Sequence, residues 1–105
     1  MIKEISVQEV KKMLDNHDDF QFIDVREKAE VEAASIGAIH IPMGEVIDNL
    51  NKISKEKMVV VHCRSGARSA AICNALINAG YSDVYNMKGG IKAWAAEIDP
   101  TLSVN

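Results

Sequence analysis

The chain has 105 residues, with 12 Lys plus Arg against 15 Asp plus Glu and a formal net charge of −3. That length fits one domain spanning residues 1–105, and an acidic balance with a pI near 5.5 excludes the basic footprint of a nucleic-acid-binding domain. A content of 48% hydrophobic and 26% charged residues excludes a mostly disordered chain.

Ser6 followed by Glu9 has the form of a helix capping box. Val7, Val10, Met13 and Leu14 then recur at helical spacing, and the polar run 15–19 ends that helix. Residues 20–25 are short, apolar and carry two aromatics, which suits a strand. Residues 27–34, rich in Glu, Lys and Ala, suit a short helix. Residues 38–41 read as a second short strand stopped by Pro42. Val46, Ile47, Leu50 and Ile53 again fall at helical spacing. Met58 to Val61 form an apolar, β-branched run of the kind buried on both faces of a parallel sheet.

Residues 69–79 are apolar on most sides and read as a helix stopped by Gly80. Residues 84–86 make a last short strand. Gly89 and Gly90 turn the chain into a helix carrying Ile91 and Trp94, both read as core. Pro100 closes the structured part, leaving 99–105 as a loosely ordered tail. The strand–helix alternation predicts an α/β domain with helices covering a mainly parallel sheet. Ligands of such sheets bind at the carboxyl ends of strands, where loops lead into helices.

Two cysteines ten positions apart are too few for a disulfide scaffold and lack the second pair of a zinc ribbon. Lys3, Glu4 and Glu9 fall where a signal peptide would be apolar, and no stretch approaches the ~20 apolar residues of a membrane span. The expectation is a cytoplasmic monomer with no membrane and no nucleic-acid partner. His17 and His40 have no cysteine or carboxylate at ligand spacing, so neither a metal site nor a cofactor is expected.

The loop after the most buried strand reads Cys63-Arg64-Ser65-Gly66-Ala67-Arg68-Ser69. Three effects there favour thiolate over thiol at Cys63. Backbone N–H groups of a tight loop around Gly66 can form an anion nest. The following helix presents the positive end of its dipole. Arg64 and Arg68 add two positive charges, with no carboxylate within the loop. Thiolate is the nucleophilic form. Four residues separate Cys63 from Arg68, whereas a cysteine phosphatase loop has five and holds a phosphate; the shorter cradle suits a single sulfur atom. His62 precedes the nucleophile, but adjacent side chains on a strand point to opposite faces, so no Cys-His dyad is expected. Cys73, within an apolar helix, is read as packing and as too far along the axis to resolve Cys63. Lys88 is a weaker candidate for positive charge at the pocket mouth.

The sequence resembles a single-domain rhodanese, of the sulfurtransferase family. The Cys63–Ser69 loop is similar to that family's active-site loop. Phe22-Ile23-Asp24-Val25-Arg26 with Glu30 resembles its "IDVR…E" segment, Gly37 to Pro42 its "GAxxIP" segment, and Val84 to Trp94 its "GGxxAW" ending. The four segments come in order and at family spacing, apart from one place: Ser35 stands where the family has His, and that stretch is one residue short.

The resemblance implies a three-layer α/β fold, a mainly parallel five-stranded sheet flanked by helices. It implies a thiosulfate sulfurtransferase with Cys63 as the catalytic nucleophile that carries a persulfide. Arg64, Ser65, Gly66, Ala67 and Arg68 form the loop that binds donor and persulfide, with the two arginines at the entrance. Asp24, Arg26 and Ser69 stand behind it as supporting residues, Arg26 as a structural ion pair with Glu30 or a neighbour. The partners implied are a small anionic sulfur donor and a thiophilic acceptor, either cyanide, a thiol or a protein cysteine. Two alternatives remain: a non-catalytic partner-binding module, and a phosphatase or arsenate reductase of similar fold.

Overall fold

The computed structural model describes residues 2–104; Met1, and Asn105 at the end of the expected tail, lie outside them. Five parallel strands form one sheet in the order β1-β5-β4-β2-β3. They are β1 (Lys3–Ile5), β2 (Phe20–Asp24), β3 (Ile39–His40), β4 (Met58–His62) and β5 (Val84–Met87). The helices are α1 (Val7–Asp15), α2 (Lys28–Ala33), α3 (Ala67–Asn78) and α4 (Gly90–Glu97). Parallel pairing forces every strand-to-strand connection to cross over the sheet, which is why strands and helices alternate in the sequence.

β4 is central, and Val59, Val60 and Val61 are all fully buried. The period-2 alternation divides them between two cores. Val59, Val61 and Cys63 join Ile72, Cys73 and Leu76 of α3 on one face. Val60 joins Phe22, Val7 and Val10 of α1, and Ile91 and Trp94 of α4 on the other. His62 follows the Val60 face, its ring 5.0 Å from that of Phe22. Leu102 and Val104, beyond Pro100, also pack against this second cluster.

Several boundaries differ from the sequence expectation. β1 was missed, because it is a three-residue edge strand with Lys3 and Glu4 exposed and only Ile5 buried. It is held by its register with Tyr85, Asn86 and Met87, which no local pattern reveals. The helix expected around Val46 to Ile53 is instead two 3-10 segments, Met43–Glu45 and Ile47–Lys52, the second interrupted by a non-helical Asn49. Val46 and Ile53 still point into the core and Leu50 packs against it, but Ile47 is exposed, so the spacing reported most of the burial and the wrong helix type. α3 starts at Ala67, two residues before Ser69, because Gly66 caps it with φ +110°, a conformation that favours glycine.

Where Ser35 departs from the family pattern, the turn from α2 to β3 is made by other means. The Ser35 hydroxyl accepts from the Gly37 N–H at 3.2 Å, and Gly37 takes φ +84°.

Candidate active site

Cys63 lies at the carboxyl end of β4, just before α3 and only 1% exposed. Its Sγ accepts from the Gly66 N–H at 3.1 Å and the Ser69 N–H at 3.4 Å, and the Ser69 Oγ lies 3.3 Å away. Burial pushes the thiol up. The Ser69 hydroxyl and the N–H groups of Ser69, Gly66 and Ser65 pull it down, and the balance falls below the ordinary value of 9.0. The site therefore stabilises the nucleophilic form relative to an ordinary cysteine, without a histidine base.

A loop can aim its N–H groups inward only if its carbonyls are satisfied elsewhere. The amino end of α4 does this. The Ile91 N–H donates to the Cys63 carbonyl at 2.9 Å, and the Lys92 N–H to the Arg64 carbonyl at 3.0 Å. Gly90 allows the approach: a Cβ there would lie 2.5 Å from both carbonyl oxygens, and its φ is +62°. The sequence shows Gly89-Gly90 as a turn within the "GGxxAW"-like ending, and nothing local to it shows that these residues hold the carbonyls of the cysteine loop. Asn86 was missed altogether. Buried on β5, it donates from Nδ2 to the Gly66 carbonyl at 3.1 Å, and its Oδ1 lies 2.6 Å from the Ser69 Oγ.

Arg68 differs from the expectation of two arginines and no carboxylate. The fold brings Glu30 from α2 against it, with Nη1–Oε2 at 2.7 Å and Nη2–Oε1 at 2.8 Å. This two-point contact holds the Glu30 carboxyl down at about 2, and the Arg68 charge is largely offset. Arg64 lines a cavity of about 230 Å³ together with Glu30, Ala29, Ala33, Ala34 and Val104. Lys88 lines a different groove, with Ser6, Gln8 and Glu97.

Asp24 and Arg26 are buried together, Nη2–Oδ2 at 2.8 Å and Nε–Oδ1 at 3.0 Å. Burial raises the Asp24 carboxyl, but the Arg26 bonds and nearby His62 lower it further. Arg26 also donates to the carbonyls of Ala34 at 2.7 Å and Glu30 at 3.4 Å, so it ties the end of β2 to the end of α2. It thereby links the helix that carries Glu30 to the sheet. The direct ion-pair partner is Asp24; Glu30 accepts at its carbonyl, and its carboxylate also feels the Arg26 charge.

His62 accompanies this pair rather than Cys63's sulfur. Burial lowers its pKa below 6.5 despite the Asp24 charge, and its Nε2, 3.6 Å from Asp24 Oδ2, has no hydrogen-bond partner among the described residues. Cys73 is fully buried, and burial together with the Cys63 charge pushes its thiol up to about 12. Among the described residues no group of three or more His, Cys, Asp or Glu could hold a metal ion, and no helix is long and apolar enough to cross a membrane.

A thiolate-favouring cysteine in an N–H cradle between a parallel strand and a helix defines a loop-cysteine α/β domain. The chain belongs to the rhodanese-like domain family, whose model matches residues 6–97. It is 38% identical over 96 residues to a protein named sulfurtransferase from Allochromatium vinosum, covering 90% of each chain. It is 32% identical over 106 residues to the thiosulfate sulfurtransferase GlpE of Coxiella burnetii, covering 100% of this chain and 97% of that one. A crystal structure of a rhodanese-like domain protein from Staphylococcus aureus superposes with a TM-score of 0.83 at 32% identity, covering 99% of both chains.

Proposed function

We propose that this chain transfers a sulfane sulfur through a persulfide on Cys63, with thiosulfate as a donor and a thiol or cyanide as acceptor. The observation that carries this reading is the cradle itself, in which Gly66, Ser69 and the Ser69 hydroxyl converge on one sulfur. Its four-residue span from Cys63 to Arg68 is short for a phosphate. The thiolate attacks the outer sulfur of thiosulfate and the S–S bond breaks. Sulfite leaves with the bonding electron pair, and a new S–S bond joins Cys63 to the transferred sulfur. An acceptor thiolate then attacks that sulfur and Cys63 leaves as thiolate, so the scheme is ping-pong.

Arg64 attracts the anionic donor, while the Glu30-paired Arg68 anchors the start of α3 to α2. The cavity beside Arg64, walled by alanines and Val104, gives room for an acceptor larger than cyanide.

Intact mass after incubation with thiosulfate tests the proposal. The expected result is a gain of one sulfur on the native chain and none on Cys63→Ser, with thiocyanate formed when cyanide is added. Hydrolysis of an aryl phosphate without an adduct would favour a phosphatase, and neither reaction a partner-binding module. Arg64→Ala should weaken thiosulfate use more than persulfide lifetime; equal losses would contradict an entrance role.

A further inference from the structure

Ser69 has one hydroxyl proton and three acceptors around it: Asn86 Oδ1 at 2.6 Å, the Gly66 carbonyl at 3.2 Å and Cys63 Sγ at 3.3 Å. The orientation of Asn86 is forced. The Gly66 carbonyl can only accept, so the amide nitrogen must face it at 3.1 Å, and Oδ1 is left facing Ser69. Two oxygens 2.6 Å apart need a proton between them, and Oδ1 has none to give. The Ser69 proton therefore sits on the Asn86 side, and the Ser69 lone pairs are turned toward Cys63.

That arrangement suits a thiol, whose S–H can donate to the Ser69 oxygen. It does not suit a thiolate, which needs the Ser69 proton for itself. When Cys63 ionises, the hydroxyl must swing its proton from Oδ1 to Sγ and give up its shortest bond. A persulfide reverses the demand. Its charge lies on the outer sulfur, Sγ becomes a neutral and weak acceptor, and the proton can return to Asn86.

We propose that Asn86 is a positioning residue that competes with the Cys63 thiolate for the Ser69 proton, and keeps that proton while Cys63 is a thiol or carries sulfur. It thereby tilts the balance from free thiolate toward the sulfur-loaded chain. The second half of this statement rests on the persulfide reading above; the first half concerns the unloaded cysteine alone. The covalent bonds change only as in the sulfur-transfer steps above, and Asn86 exchanges nothing but the hydroxyl's hydrogen bond.

The test is the pH profile of iodoacetamide alkylation, which needs no sulfur chemistry and so separates this inference from the proposed function. Arg68 and Cys73 are coupled to Cys63 by charge, Arg64 and His62 are its chain neighbours, with His62 Nδ1 3.3 Å from the Cys63 carbonyl oxygen, and none of them is altered in the variants. Removing the amide, in Asn86→Ala and in the bulkier Asn86→Leu, leaves Gly66 O at 3.2 Å as the weaker competing acceptor. The alkylation midpoint should fall by about half to one pH unit, giving roughly three- to tenfold faster labelling below both midpoints. In a Ser69→Ala background the same Asn86 changes should no longer lower the midpoint, because only the lost bond to the Gly66 carbonyl remains. A purely structural role predicts the opposite sign, because a loosened loop loses N–H donors to the thiolate. A midpoint unchanged or raised in both variants, a lowering that survives Ser69→Ala, or loss of the fold in both would overturn the assignment.

Discussion

Two cysteines of this chain share one apolar cluster, both are buried, and their chemistry is opposite. Burial acts on each in the same direction, against the charged form. Cys63 is pulled below the ordinary value because N–H groups and a hydroxyl converge on its sulfur. Cys73 is pushed up to about 12 because nothing offsets burial and the Cys63 charge adds to it. The difference lies in where the backbone donors point. Cys63 stands at a strand-to-helix loop, where N–H groups are not yet used by the helix. Cys73 is inside α3, where they are.

The strongest attempt to break the contrast is Cys63→Ser, which should abolish alkylation at neutral pH while Cys73 stays unlabelled; labelling that persists would place reactivity on the wrong cysteine. Next is Gly90→Ala. A Cβ there meets the Cys63 and Arg64 carbonyl oxygens at 2.5 Å, and φ is positive. We expect a loss of about 2 kcal/mol or more in denaturant unfolding, together with slower labelling as the loop shifts. Ser69→Ala removes one donor to the Cys63 sulfur. It should raise the labelling midpoint and cut the thiolate population at neutral pH by roughly tenfold, since bonds to charged groups contribute about 1.5–3 kcal/mol.

Cys73→Ala sharpens the contrast from the other side. It should cost about 1 kcal/mol of stability through the small cavity it leaves, and leave the Cys63 pH profile unchanged. The smallest effect is expected at Glu30. Its carboxyl is held at about 2 in the folded chain against 4.5 otherwise. Its contribution is therefore present above pH 4.5 and lost as the pH falls toward 2. The pair with Arg68 is about one-third exposed, so the stability at stake is below about 1 kcal/mol. Glu30→Gln should remove that part of the acid dependence of the unfolding midpoint.

Most of the sheet and the cysteine loop were legible in the sequence because each rests on a local pattern. The β-branched run at β4 and the apolar periodicity of α1 are periodic signals. The Cys63-to-Arg68 loop is a contiguous one. The pieces that were not legible depend on partners far along the chain. β1 exists through its pairing with β5, some eighty residues on. The 3-10 segments at Met43–Glu45 and Ile47–Lys52 are flanked by the buried Val46 and Ile53 at a spacing a helix would also give, and spacing alone does not separate the two.

By itself the sequence determined an α/β chain of one parallel sheet, and a cysteine that opens a strand-to-helix loop with an arginine at each side of its glycine. Only the tertiary structure decided how that loop is held and charged. It set Glu30 against Arg68, placed the amino end of α4 on the Cys63 and Arg64 carbonyls, and brought Asn86 to Ser69. The physical reason is range. Backbone donors and helix dipoles act within a few residues and leave a mark in the local sequence. A hydrogen bond between residues 17 or 38 positions apart exists only after the sheet has assembled.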